Sequence, residues 1–216
     1  DLVMGVPESG IPAAEGFARA SGIPYGQGLV KNRYIGRSFI APTQSLRAST
    51  VRMKLNPLRD NIVDQRLIVV DDSIVRGTTT RSMIRMLREA GAAEVHLRVS
   101  SPPYRWPCFY GMDTGSRAEL LAANLTVDEI QRYLEVDSLS YLSIDRLLEA
   151  TGATGAGFCN ACLTGDYPVE IPADLAEGMF ESMGRVKDLE RPGTPVSVGY
   201  GDELPTEDAS RLFPRA

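Results

Sequence analysis

The feature that most limits what this chain can fold into is the run Arg66-Leu67-Ile68-Val69-Val70-Asp71-Asp72, continued by Ser73-Ile74-Val75-Arg76-Gly77-Thr78-Thr79-Thr80. An unbroken apolar, β-branched stretch with no polar alternation predicts a strand covered on both faces, the usual state of a strand in a parallel sheet. A helical pattern begins near Arg81, so the unit reads as strand, loop and helix. The two acids then fall at the strand's carboxyl end, where open α/β sheets bind ligands. Gly77 allows a tight turn, and three threonines place hydroxyls beside the unpaired N–H groups that open a helix, an end that attracts anions. Carboxylates and an anion site in one loop repel each other unless the ligand carries both hydroxyls and phosphate, or a cation bridges them. A ribose phosphate with Mg²⁺ meets both conditions. The plainer alternative, a surface turn whose acids and threonines only cap the helix, leaves unexplained why two acids crowd a sheet's ligand-binding edge.

Val69 to Thr79 closely resembles the phosphoribosyl pyrophosphate (PRPP) signature of the type I phosphoribosyltransferases. The resemblance implies an α/β fold with a parallel sheet flanked by helices. It also implies that Asp71 and Asp72 bind the ribose hydroxyls and organise Mg²⁺, and that Ser73, Arg76, Gly77, Thr78 and Thr79 form the loop on the 5′-phosphate.

A chain of 216 residues can hold one core of ordinary size, and a hydrophobic fraction of 43% is that of a globular protein. No run approaches the roughly 18 apolar residues of a spanning helix, which excludes a membrane protein. The opening stretch does not read as a secretory signal, since Pro7, Glu8 and Pro12 break it, and the expected compartment is the cytoplasm. A chain that opens on Asp1 without Met, directly into a strand, reads as a fragment or a processed product. The net charge of −5 hides an asymmetry: Lys31, Arg33, Arg37, Arg47, Arg52, Lys54 and Arg59 lie in one stretch that contains no acid. A basic segment on an acidic protein predicts a local polyanion site and no nucleic-acid partner.

Taken in order, Asp1 to Val6 predicts a strand, Pro7-Glu8-Ser9-Gly10 a tight loop, and Ala13 to Ala20 a helix closed by Gly22. By the resemblance this first loop lies against pyrophosphate and Ser9 approaches the metal; by residue type alone Ser9 serves equally as a helix N-cap. Ile23 to Lys31 is strand-like but interrupted by Gly26 and Gly28. From Asn32 to about Asn61 there is little periodicity, and a loop of that length reads as a lid, with a solvated basic hairpin as the alternative. Closing it would supply counter-charge and exclude water, with Tyr34, Arg37 and Lys54 as the candidate catalytic residues. A helix is expected from Arg81 to Ala90 and a strand from Glu94 to Ser100, on which His96, the only histidine, reads as structural. Thr126 to Glu129 resembles a capping box before a short helix, and Ser143 to Ala150 gives another. The Gly-rich Thr151 to Gly157 reads as a linker. Beyond Pro172, residues 173–216 are rich in Gly, Pro and acids, and predict a poorly ordered tail or a strap onto a neighbour.

Cys159 and Cys162 form a C-x-x-C pair late in the chain, and Cys108 stands apart. Such a pair suggests metal or redox chemistry; zinc or an iron–sulfur cluster wants four thiolates, or three with a histidine, so one ligand is missing. Lys31-Asn32-Arg33-Tyr34, the acid-pair loop, Ser101-Pro102-Pro103, Pro107-Cys108-Phe109-Tyr110-Gly111 and Cys159-x-x-Cys162-x-Thr-Gly-x-Tyr-Pro together resemble the glutamine PRPP amidotransferases of the iron–sulfur class, over roughly Asp1 to Pro172. That resemblance implies a 4Fe-4S cluster held by Cys108, Cys159 and Cys162, with the fourth ligand upstream at the junction with an N-terminal glutaminase domain that this sequence does not contain. The domain plan is thus a phosphoribosyltransferase domain with a C-terminal helical and cluster-binding segment over residues 1–172, and a tail over 173–216.

The implied reaction is displacement of pyrophosphate from PRPP by ammonia derived from glutamine, giving 5-phosphoribosylamine at the start of purine synthesis. Purine nucleotides as feedback effectors and a homo-oligomer are implied by the same resemblance. Two other readings use the same fold: a salvage phosphoribosyltransferase acting on a free base, and a PRPP-sensing regulator. The first has no place for the three cysteines, and no helix-turn-helix pattern supports the second.

Overall fold

The structure, a computed structural model, describes residues 1–32, 54–112, 116–152 and 157–172. In chain order these form β1 (Leu2–Gly5), α1 (Ile11–Ser21), β2 (Leu29–Lys31), β3 (Leu55–Pro57), β4 (Arg66–Asp71), α2 (Thr78–Glu89), β5 (Glu94–Val99), α3 (Leu121–Asn124), α4 (Val127–Leu134), β6 (Ser138–Tyr141), α5 (Ile144–Ala150) and α6 (Ala161–Thr164). The strands β1, β4, β5 and β6 lie side by side in that order in a parallel sheet, while β2 and β3 form a separate antiparallel pair.

The apolar run Leu67–Val70 is covered on both faces, as its composition requires. Leu67 and Val69 are buried against Met83, Ile84 and Leu87 of α2 and Ile130 and Leu134 of α4. Ile68 and Val70 meet Ala14, Phe17 and Ala18 of α1 on the other face. With α1 on one side and α2 and α4 on the other, the domain has three layers.

The order of connections fixes where a ligand can enter. After α1 the chain returns to the outer flank of β1, where Val3 bridges Tyr25 in parallel and Gly26 N–H donates to Val3 O (2.9 Å). The chain next adds β4 on the opposite flank of β1, and β5 and β6 beyond it. Strand order therefore reverses between β1 and β4, and the crevice outside their carboxyl ends is the switch point at which doubly wound sheets bind ligands.

Local boundaries follow local chemistry. Pro12 sits in the first turn of α1 and Gly22, at φ +72°, ends it by donating to Ala18 O. The expected capping box at the start of α4 is present, with Thr126 Oγ1 accepting from Glu129 N–H and Glu129 Oε2 accepting from Thr126 N–H. By contrast α2 begins at Thr78, three residues before its apolar stripe makes it visible. Strand β6 was not expected at all, because Ser138-Leu139-Ser140-Tyr141 offers four residues and little apolar signal. The Asn32–Asn61 stretch ends in structure: β3 pairs with β2, Lys31 opposite Leu55, so a hairpin base closes it. Residues 33–53, with Tyr34 and Arg37 and the lid expectation, lie outside the described residues, as does the 173–216 tail. His96 is a sheet-surface residue, its ring bonded to Ser138 Oγ and Glu94 Oε2 (both 2.9 Å). Among the described residues no helix is long and apolar enough to cross a membrane.

Gly5 and Gly10 mark the closest approaches of the backbone. A Cβ on Gly10 would fall against Val70 O, 2.9 Å from Val6 N and 3.2 Å from Asp71 Cα, whereas one on Gly16, mid-helix in α1, would meet nothing within 4 Å. Gly10→Ala is therefore expected to destabilise the fold by about 1–3 kcal/mol, and Gly16→Ala to stabilise it by about 0.5–1 kcal/mol. Denaturant unfolding of the two variants checks both signs.

Candidate active site

Two loops meet at the β1/β4 switch point. The first, Pro7–Gly10, leaves β1 through a cis Pro7–Glu8 peptide and is tied to the end of β4: Val6 N–H donates to Val70 O (2.8 Å), and Gly10 N–H to Val6 O (3.0 Å). Ser9 is exposed on this loop. The N-cap of α1 is Gly10 and no side chain caps that helix, so the capping role open to Ser9 from its type is not the one it has.

The second loop starts from the acids. Asp71 closes β4 and is 8% exposed; its neighbour Asp72 is exposed. Burial, and then the adjacent Asp72 carboxylate, push Asp71 up to about 7. Its backbone is fixed by the next strand, Ser100 donating from both N–H (2.9 Å) and Oγ (3.2 Å) to Asp71 O. Asp71 Oδ1 accepts from Asp72 N–H (2.9 Å) and Asp72 Oδ1 from Ser73 N–H (2.7 Å), which curls the chain into the loop. Gly77, at φ +73°, turns it into α2, whose N-terminus has neither a side-chain cap nor an acid in its first turn. The N–H groups of Thr78 and Thr79 thus stand open beside two hydroxyls, an arrangement suited to a phosphate. Of the expected loop residues, Asp71, Asp72, Ser73, Gly77, Thr78 and Thr79 are brought together. Arg76 is instead paired with Glu119, at 2.7 Å from Nε and 2.6 Å from Nη2.

Sequence reasoning missed Ser100, Glu119 and the wall behind Gly77. The register that sets Asp71 beside Val99 points to Ser100 once the strands are aligned; nothing in the sequence singles out Glu119. On the far side of the first loop, a cleft of about 180 Å³ lies between Pro7, Glu8 and the β2 strand, with Tyr25 and Gln27 in its wall. It excludes the acids: Asp71 is buried at the end of β4, and Asp72 stands exposed on a ledge beside it. Lys31 lies 3.4 Å from Glu8 across it. Lys54, at the hairpin base, is lowered by partial burial and by the like charge of Lys31.

The three cysteines are free and come from two segments that pack together. Arg105 and Trp106 N–H both donate to Cys162 O, Tyr167 OH donates to Pro107 O (2.7 Å), and the rings of Phe109 and Tyr167 meet edge-on at 5.2 Å. Burial raises the Cys162 thiol, and Cys108 and then Cys159 add to the shift. Among the described residues, no three His, Cys, Asp or Glu side chains are grouped closely enough to hold a metal ion by themselves.

Known proteins match this geometry. Residues 1–101 match the phosphoribosyl transferase domain family. The amidophosphoribosyltransferase of Synechocystis sp. is 62% identical over 172 residues, covering 80% of this chain and 35% of the relative. That of Synechococcus elongatus is 56% identical, covering 81% and 36%. Among solved structures, glutamine PRPP amidotransferase from B. subtilis, complexed with ADP and GMP, superposes with a TM-score of 0.71 at 52% identity, covering 81% of this chain and 39% of that one. The chain spans little more than a third of the length of these relatives. With a parallel sheet, an acid pair at its switch point and this level of identity, the chain belongs to the amidophosphoribosyltransferase family, whose phosphoribosyltransferase domain it carries.

Proposed function

We propose that this chain is the phosphoribosyl-transferring part of an enzyme in which ammonia displaces pyrophosphate from C1 of PRPP, giving 5-phosphoribosylamine for purine synthesis, with glutamine as the ammonia source in the complete protein. One observation carries the reading: a buried and an exposed carboxylate stand beside an uncapped, acid-free helix N-terminus at the sheet's switch point. That pairing suits a ligand with hydroxyls at one end and phosphate at the other.

Asp71 and Asp72 would take the ribose hydroxyls, and Ser73 to Thr79 the 5′-phosphate. The same two carboxylates fit Mg²⁺, which usually keeps one or two protein carboxylates and takes its remaining ligands from substrate phosphates and water. When bound, the ion neutralises charge on the leaving pyrophosphate. Ser9 is exposed on the first loop, which supports its assignment by family resemblance as a further contact to the ion. Lys54, with Lys31 near enough to lower it, would supply positive charge for the same leaving group, and Tyr34 and Arg37 are assigned there on sequence grounds. Holding C1 and the nucleophile in line, with preorganised charge at the pyrophosphate, accounts for catalysis without a strong base. Unprotonated ammonia is already nucleophilic, in keeping with His96 being engaged on the sheet surface.

Supporting a thiolate-bound iron centre are the three thiols of Cys108, Cys159 and Cys162 on two packed segments, with Tyr110 N–H donating to Cys108 Sγ (3.4 Å). These residues would hold three corners of a 4Fe-4S cluster with a structural role, the fourth thiolate coming from outside the described residues. Purine nucleotides act as feedback effectors in this reading, supported by the ADP and GMP bound to the B. subtilis relative.

Three measurements test these assignments. Pyrophosphate release should occur with ammonia and not with free purine or pyrimidine bases, and Asp72→Asn should lower that rate by about 10²-fold or more; wild-type rates from the variant remove Asp72 from the mechanism. For Asp71 the folded protein favours the protonated acid, so its contribution to stability is complete below the ordinary carboxylate range and is lost as pH rises through about 7. Asp71→Asn should therefore melt higher than wild type in metal-free, ligand-free buffer near pH 8, with the gap closing towards about pH 4. Iron analysis and the visible spectrum of the anaerobically purified full-length protein test the cysteines; active, colourless, iron-free enzyme rules the cluster out.

A further inference from the structure

The sugar-phosphate loop works only if the left-handed turn at Gly77 is held, because that turn aims the Thr78 and Thr79 N–H groups. The direction a side chain on Gly77 would take is closed by two residues from α3 and α4: a Cβ there would lie 2.6 Å from Leu121 Cδ2 and 3.3 Å from Tyr133 Cε1. Leu121 is also bonded to the loop through its N–H, which donates to Val75 O (2.8 Å).

Tyr133 is itself held. It is 8% exposed, and the Arg81 guanidinium lies over its ring, 4.7 Å from the centroid. Arg81 is one helical turn beyond Gly77 and donates its backbone N–H to Gly77 O (2.8 Å), so one residue grips both the turn and the ring behind it. Its side chain is 15% exposed and is fixed by Glu135 Oε1 at 2.9 Å, which also accepts from Arg85 at 2.6 Å. Those two arginines hold the Glu135 carboxyl far below the usual carboxylate range, at about 2, so the clamp keeps its charge throughout the neutral range.

We propose that Tyr133 is a positioning residue for sugar-phosphate binding, pressed against Gly77 by Arg81 and, through Arg81, by Glu135. The inference rests on the phosphate-loop reading given above. A cation facing an aromatic ring that is largely removed from water holds the ring's tilt as well as its place, which a purely apolar contact does not. The competing account is that the arginines and acids only fasten α2 to the end of α4. Arg88 provides the comparison: it makes an equally short ion pair, 2.6 Å to Asp137, and meets Glu135 only at the backbone carbonyl (3.3 Å), not at the carboxylate that holds Arg81.

The test uses Tyr133→Leu, Tyr133→Phe and Arg88→Gln in the full-length protein. Calorimetry with PRPP and Mg²⁺ should show Kd raised on the order of tenfold in Tyr133→Leu, near wild type in Tyr133→Phe, which keeps the ring face, and unchanged in Arg88→Gln despite a lowered melting temperature. In steady state the Leu variant should raise KM for PRPP with much less effect on kcat. Hydrogen exchange at Gly77 to Thr79 in the ligand-free protein should quicken in Tyr133→Leu alone, a readout that stands whatever the ligand. A folded Tyr133→Leu with unchanged exchange and affinity overturns the proposal, as does an equal loss of affinity in Arg88→Gln. Wild-type protein that binds no PRPP overturns the phosphate-loop reading itself, while the exchange result still reports on the brace.

Discussion

Electrostatic conflict within one loop organises this domain. Two carboxylates and the positive end of α2 lie a few residues apart, and the acids do not cap the helix. Asp71 instead turns its oxygen to the next backbone N–H, Asp72 repeats the step, and the helix is left with its N–H groups open. Neither feature favours the empty protein: a buried carboxyl beside another is costly to ionise, and an uncapped helix end forgoes the stabilisation a side chain would supply. In the function proposed above, both deficits would be met together by a molecule that brings hydroxyls, phosphate and a divalent cation.

The rest of the fold is arranged to keep that conflict in place. Strand β4 is central and covered on both faces, so the end of the strand is fixed. The first loop is pulled against it by the Val6 to Val70 bond, and Gly10 makes the distance short enough. Ser100 holds the Asp71 carbonyl from the neighbouring strand. Small contacts from three different chain segments therefore define the ledge, which is why its geometry is a property of the sheet and not of the loop alone.

Much of this was legible in the amino-acid order because it is local. The apolar run before the acids dictated a covered strand, Gly22 and the Thr126 capping box set helix ends, and Gly77 announced a turn. What stayed hidden is what depends on distance along the chain. The start of α2 could not be read from hydrophobic period, since its first turn is all threonine. Strand β6 exists because β5 offers it an edge, not because Ser-Leu-Ser-Tyr demands extension. Glu119, Tyr133 and Glu135 lie forty residues or more beyond the loop they border, and each reads there as an ordinary helix or turn residue. For Ser9 the residue type left two roles open, and the backbone gives the capping position to Gly10.

The two cysteine-bearing segments are joined by side chains other than the thiols. Phe109 and Tyr167 stack edge-on, Tyr167 reaches the Pro107 carbonyl, Tyr110 exchanges hydrogen bonds with Val169, and a side chain on Gly165 would collide with Trp106. None of these contacts involves sulfur. Aromatic and backbone contacts thus dock the two segments without using the thiols, so the centre proposed above would bind to polypeptide already held together and would not have to recruit it from a disordered ensemble.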